Sequence, residues 1–83
     1  MDQPARSLSQ LGAFIRRARK AAGLTQGELG ERINRRQATV SNLESAGSGA
    51  TLNTLFAVLA ALELELVVRP RTKVDPSDIA DLV

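Results

Sequence analysis

"LTQGELGERINRRQATVSNLE", residues 24–44, holds two short helical signals with a reversal between them. Thr25, followed three residues later by Glu28, is a capping box, in which a hydroxyl and a carboxylate each satisfy a backbone N–H at a helix start. Leu29 and Ile33 then give that helix its apolar edge, within a length of about eight residues. Gly27 and Gly30 weaken it by about 1 kcal/mol each relative to alanine, so it depends on packing, and Gly30 reads as the point where another helix lies close to its backbone. Asn34 tolerates the left-handed conformation that turns a chain sharply after a helix. The next segment is helical but unevenly divided. Val40 and Leu43 form one narrow apolar edge, whereas Ala38, Thr39, Ser41 and Asn42 face away from it behind Arg35, Arg36 and Gln37. Two short helices on a turn of three or four residues, the second with a polar outer face, express a helix-turn-helix.

Upstream, "LSQLGAFIRRARKAAGL" spaces Leu8, Leu11, Ile15, Ala18 and Ala22 at intervals of three and four, with Phe14 beside them, which is the stripe of an amphipathic first helix. Ser7 or Ser9 can cap its start, and Gly23 before apolar Leu24 is a Schellman-type stop. Downstream, the small-residue loop "SAGSGA" leads through Thr51, a suitable cap, into "TLNTLFAVLAAL", a fourth helix with Leu52, Leu55, Phe56, Leu59 and Leu62 on its apolar face. The period then changes to two. Leu64, Leu66 and Val68 alternate with Glu65 and Val67 as in a strand, which Pro70 closes. In "RTKVDPSDIADLV", Asp75 before Pro76 suits the cap and first turn of a short helix.

Composition narrows the function. The 83 residues suffice for one small domain, near the lower limit at which a single core supports itself. The chain has no cysteine, histidine or tyrosine, so it lacks a disulfide framework, a thiolate metal site and the commonest acid-base and nucleophilic groups; neither an enzyme nor a cofactor is expected. No run long enough to span a membrane occurs and the N-terminus lacks a signal-like apolar region, which implies a cytoplasmic setting. The net charge of +2 is unevenly placed: residues 6 to 36 hold eight Arg or Lys against Glu28 and Glu31, and residues 37 to 83 hold three against six acids. The basic half contains most of the helix-turn-helix.

A helix entering the major groove of double-stranded DNA should present short hydrogen-bonding side chains on its outer face and longer ones at its N-terminal end. Arg36 suits a forked contact with guanine, Gln37 with adenine, and the Ala38 methyl a contact with thymine, while Thr39, Ser41 and Asn42 can meet bases or phosphates. Arg35 and Arg36 at a helix N-terminus oppose the helix dipole, which argues for a purpose outside the fold, although solubilising charge is the alternative. Arg16, Arg17 and Lys20 are read as the solvated face of the first helix, adding to the positive field rather than gripping phosphates.

The 24–44 stretch resembles the Xre or lambda-repressor type of DNA-binding domain. "RQATVSNLE", the spacer "SAGSGATLNTLFAVLAAL" and the following "LELELVV" together resemble the HipB-type antitoxins, over about residues 8 to 69. The resemblance implies a homodimeric repressor that controls its own operon through an inverted-repeat operator and binds a HipA-type kinase toxin. Gln26 resembles the family position that grips a phosphate, and Arg19 and Glu44 resemble a pair joined across the core in a structural role. The sequence departs from the family at Asn34, where glycine is usual, at Arg35, where an apolar residue is usual, and in lacking the fifth helix common in phage repressors. The last favours an antitoxin over a phage-type or stand-alone repressor; a protein-interaction module with weak DNA binding is the alternative from another class.

A lone strand leaves its backbone groups without partners, and no second alternating segment exists to supply them. The same segment of a second copy is the simplest source, giving a two-stranded ribbon through Leu64, Leu66, Val67 and Val68 over the fourth helix; the alternative is a coil folded back on its own chain. The expected fold is therefore an all-α, lambda-repressor-like domain of four helices with one C-terminal strand that pairs in a homodimer. The organisation is an N-terminal arm over 1–6, a DNA-binding and dimerisation domain over 7–69, and a tail over 70–83.

Overall fold

The computed structural model describes residues 3–46 and 50–71. Four helices follow in order: α1 Leu8–Ala21, α2 Gln26–Arg32, α3 Gln37–Glu44 and α4 Leu52–Ala61. The four-helix expectation is met, with α2 and α3 joined by the four residues 33–36. The helix that Asp75 and Pro76 would begin lies outside the described residues, as do most of the 70–83 tail and part of the "SAGSGA" loop.

Local chemistry accounts for the helix boundaries. The hydroxyl of Ser7 accepts from the Gln10 N–H at the start of α1, and that of Thr51 accepts from the Thr54 N–H at the start of α4. The capping box of α2 is complete, Thr25 and Glu28 each accepting from the other's backbone N–H. These N–H groups would otherwise have no partner. Three helices stop by the same device, in which a residue with positive φ lets two backbone N–H groups reach back into the last turn. Gly23 (φ 75°) ends α1, Asn34 (φ 58°) ends α2 and Glu63 (φ 57°) ends α4. The reaching N–H of Leu24, Arg35 and Leu64 meets the carbonyl of Arg19, Gly30 and Leu59 at 3.2, 2.8 and 2.7 Å.

Ile15, Leu29, Val40, Leu43, Leu55, Val58 and Leu59 form one buried core drawn from all four helices, with Leu11, Leu24, Ile33, Ala61 and Leu62 against it. Two glycines let other backbone come close to their helices. A Cβ on Gly30 would stand 2.8 Å from the Arg35 carbonyl oxygen, and one on Gly12 would overlap the carbonyls of Leu43 and Glu44. The first admits the turn between α2 and α3 rather than the neighbouring helix that the sequence of α2 suggests; the second seats α1 against the end of α3.

The apolar stripes are shifted from the sequence reading. On α1 the buried residues are Gly12, Ile15 and Arg19, while Leu8 is 63% exposed. On α4 they are Thr54, Leu55, Val58 and Leu59, while Leu52 and Phe56 are 70% and 51% exposed. Periodicity finds a helix face, but the angle at which helices cross selects which part of that face is covered. After α4, residues 64–71 are non-helical, and among the described residues no strand is formed.

Candidate nucleic-acid interface

The start of α2, the outer side of α3 and one edge of α1 enclose a shallow hollow of about 650 Å³. Arg16 lines it from α1, Thr25, Gln26 and Gly27 from the head of α2, and Gln37, Ser41 and Ser45 from α3 and its end. Its floor is an ion pair. Arg19 and Glu44 keep side-chain exposures of only 9% and 3%, with Arg19 Nε donating to Glu44 Oε2 at 2.6 Å and Nη2 to Oε1 at 3.1 Å. Arg19 Nη1 also donates to the Leu24 carbonyl at 2.8 Å, so the guanidinium ties α1 both to the following turn and to α3.

Burial works to raise the pKa of Glu44, but the hydrogen bonds from Arg19 and Gln26 and the charges of Arg19 and Arg16 outweigh it and hold the carboxyl below its usual range. The hydrogen bond to Glu44 raises the pKa of Arg19 in turn. Both therefore stay charged. Gln26 Nε2 donates to Glu44 Oε1 at 3.1 Å, and Gln37 Nε2 donates to Gln26 Oε1 at 3.4 Å, which carries the network outward from the ion pair to the first residue of α3. No buried side-chain nitrogen or oxygen among the described residues lacks a partner.

Gln37, Ala38 and Asn42 are exposed, and Thr39 and Ser41 half-buried. Ala38, Ser41 and Asn42 lie on the side of α3 away from the core residues Val40 and Leu43, with Gln37 at its edge and Thr39 on the flank one turn before Leu43. Arg36 is the N-cap residue of α3, exposed and with no side-chain capping bond, whereas Arg35 turns back, its Nη1 donating to the Asn34 carbonyl at 3.1 Å. The two adjacent arginines thus differ: one braces the turn and the other is available at the helix tip. Arg17 stands apart from the hollow, its guanidinium 5.2 Å from the centre of the Phe14 ring.

Gln26, Gln37 and Ser41 come together in the hollow; Arg36, Ala38, Thr39 and Asn42 continue from it along α3. Leu64, Leu66, Val67 and Val68 lie elsewhere, where the segment after α4, the N-terminal arm and α1 border a second hollow of about 930 Å³. Arg16 is exposed, as expected of a solvated face, and it also borders the first hollow; its position one turn before Arg19, on the same side of α1, is the sequence signal for that second feature. The contact of Gln26 with Glu44, 18 residues apart, had no such signal.

Among the described residues no cluster of His, Cys, Asp or Glu could hold a metal ion, and no helix is long and apolar enough to cross a membrane.

Residues 15–68 match the model of the Helix-turn-helix family. The chain is 39% identical over 62 residues to Antitoxin HipB of Escherichia coli (strain K12), covering 75% of this chain and 70% of that protein. Among solved structures, it resembles the HipB chain of a variant HipB–O2 20mer complex with a TM-score of 0.79 and 35% identity, covering 87% of this chain and all of the other. A HipA–HipB–O2–O3 complex contains a chain that it matches with a TM-score of 0.78 and 35% identity, over 86% of this chain and all of that one.

Proposed function

Because the chain belongs to the helix-turn-helix family and, within it, to the HipB-type antitoxins, we propose that it is a sequence-specific repressor that binds double-stranded DNA, controls its own operon and binds a HipA-type kinase toxin. The observation that carries the reading is the division of α3. Its core side is closed by Val40 and Leu43, while its outer side presents Gln37, Ala38, Thr39, Ser41 and Asn42 with Arg36 at its tip. Short polar side chains that face away from the core of their own domain serve a groove better than they serve the fold.

In this reading Arg36 and Gln37 meet base edges, Ala38 a thymine methyl, and Thr39, Ser41 and Asn42 bases or phosphates. Gln26, at the head of α2, holds a phosphate. Two such helices act together through residues 7–69 of each copy: Leu64, Leu66, Val67 and Val68, from 42% to 91% exposed, pair with the same segment of a second chain as an antiparallel ribbon. The arm over 1–6 and the tail over 70–83 flank that domain. The likeness to a chain in a HipA–HipB–O2–O3 complex supports the HipA-type partner, and a repressor of its own operon acts in the cytoplasm.

A mobility-shift titration with DNA from upstream of the chain's own gene tests the reading. A discrete complex that survives an excess of unrelated DNA is expected. A diffuse shift abolished by the competitor would leave only a protein-interaction module. Co-purification with the product of an adjacent kinase-like gene tests the toxin partnership.

A further inference from the structure

We propose that the buried Arg19–Glu44 pair is a positioning device which, through Gln26, sets the polarity in which Gln37 meets a base. The proposal rests on the DNA-binding reading above and adds a specificity role to residues that touch no base.

Each hydrogen bond in the chain leaves the next residue one choice. The guanidinium of Arg19 can only donate and the ionised carboxylate of Glu44 can only accept. Gln26 must therefore turn its NH₂ toward Glu44, as it does at 3.1 Å, and its carbonyl oxygen is left facing Gln37. That oxygen can only accept, so Gln37 must give it an N–H, which it does at 3.4 Å. The second N–H and the carbonyl oxygen of Gln37 then face outward in a defined order.

One donor and one acceptor side by side match the N7 acceptor and N6 amino group of adenine in the major groove; guanine offers two acceptors there and leaves the carbonyl unsatisfied. An isolated surface glutamine has no preferred order. Here the order originates at a charge that cannot rotate, because Arg19 is itself held by the Leu24 carbonyl at 2.8 Å and by both Glu44 oxygens. The 3.4 Å contact is long, so the relay biases Gln37 rather than locking it, and hydrogen bonds in series reinforce one another.

Glu44→Gln tests the device, because the new amide would give its oxygen to Arg19 and its NH₂ outward, inverting every later step. Operator affinities are measured for all single-base variants, at a temperature where circular dichroism shows each protein folded. The parent should discriminate at the base pair read by Gln37, and Glu44→Gln should lose about tenfold of that discrimination, the order contributed by one bidentate pair. Discrimination elsewhere should hold, and adding Gln37→Ala should cause no further loss at that base.

Gln26→Met cuts the relay while sparing the ion pair, and it decides the matter if Glu44→Gln fails to fold. It should lower affinity for every operator by removing a phosphate contact, and in addition lose discrimination at the same single base pair. In the free protein, the side-chain amide resonances of Gln37 should shift in both variants. Retained discrimination in Gln26→Met, unchanged Gln37 amide resonances, or losses additive with Gln37→Ala would overturn the positioning role alone. A parent that discriminates at no base overturns the DNA-binding reading and the positioning role with it.

Discussion

In the helix-turn-helix region α2 is closed at both ends and Arg19 of α1 answers the buried charge of Glu44, all within one chain, whereas residues 64–71 place Leu64, Leu66, Val67 and Val68 at 42%, 48%, 63% and 91% exposure. In the first region a capping box, an αL turn and a two-sided ion pair answer the polar groups that folding removes from water. In the second, an alternating apolar run leaves α4 through Glu63 and turns toward solvent. Such a run invites pairing with another chain, and natural domains seldom leave one uncovered. The difference separates what one chain completes from what a second copy completes in the dimer proposed above. Each region can therefore be broken without breaking the other.

The largest effect is expected in the self-sufficient region. Arg19→Met should leave Glu44 charged and almost buried, at a cost of about 3 kcal/mol or more, whereas adding Glu44→Met should recover much of the loss. Denaturant titrations of the single and double variants measure both, and a cost of a few tenths for the single change would reduce the pair to surface groups. Acid gives a second view. The folded-state pKa of Glu44 lies below its ordinary value of 4.5, so its contribution is present above pH 4.5 and is lost as pH falls through the folded value. The double variant should lack that part of the acid sensitivity.

The other region should break by dissociation rather than unfolding. Leu66→Pro removes a backbone donor and restrains φ, so a ribbon between copies should fail while α1 to α4 keep their helical signal. Operator affinity should then fall by about a hundredfold or more as two half-sites cease to be read together. Sedimentation equilibrium and operator titration check the two halves of this statement. A variant that stays dimeric with undiminished affinity would move the interface elsewhere, with the exposed Leu52 and Phe56 of α4 the next place to look.

The contrast also separates what the sequence discloses from what it conceals. Ser7, Thr25 with Glu28, Gly23, Asn34 and Thr51 are legible because a helix end is settled within a few residues, by chemistry that depends little on the rest of the fold. Glu63 was not legible as a helix stop. Left-handed backbone costs a residue with a Cβ about 1–2 kcal/mol, so composition argues against it, and only packing can place it there. The exposure of Leu8, Leu52 and Phe56 was hidden for a related reason: hydrophobic spacing defines a face, while crossing angles between helices decide how much of it is covered. At the candidate interface, the polar face of α3 was visible as a pattern. The link from Glu44 through Gln26 to Gln37 was not, because it joins three elements whose mutual placement no local spacing encodes.

Within the α2–α3 region, base reading should separate from fold stability. Gln37→Ala should cost about 1–3 kcal/mol of discrimination at one base pair, with thermal stability nearly unchanged, since Gln37 is exposed. Titrations against single-base operator variants measure it. Equal losses on every variant would remove Gln37 from the base-reading set. For the intact dimer, footprinting should show two half-sites in inverted repeat with centres about 10 base pairs apart, and protection of one half-site at saturation would count against the pairing.

The smallest effect concerns two neighbours that the sequence treats alike. Arg16 and Arg17 are adjacent exposed arginines on α1, but Arg16 borders the hollow with Gln26, Gln37 and Ser41, while Arg17 lies over Phe14 beside the hollow that the 63–71 segment lines. The turn of about 100° between consecutive helical residues is enough to assign them to different regions. Arg16→Ala should weaken binding to all operator variants alike, because a contact with phosphate carries no base information, and should lower the magnitude of the salt dependence of log affinity by about one. Arg17→Ala should leave that slope nearly unchanged, since its charge sits on the side of α1 away from α3. Affinities measured over a series of salt concentrations, with parent and variants on one operator, decide between the two positions. Equal slopes for Arg16→Ala and Arg17→Ala would mean that both act only through the general positive field, and the boundary of the candidate interface would then retreat from α1 to the head of α2.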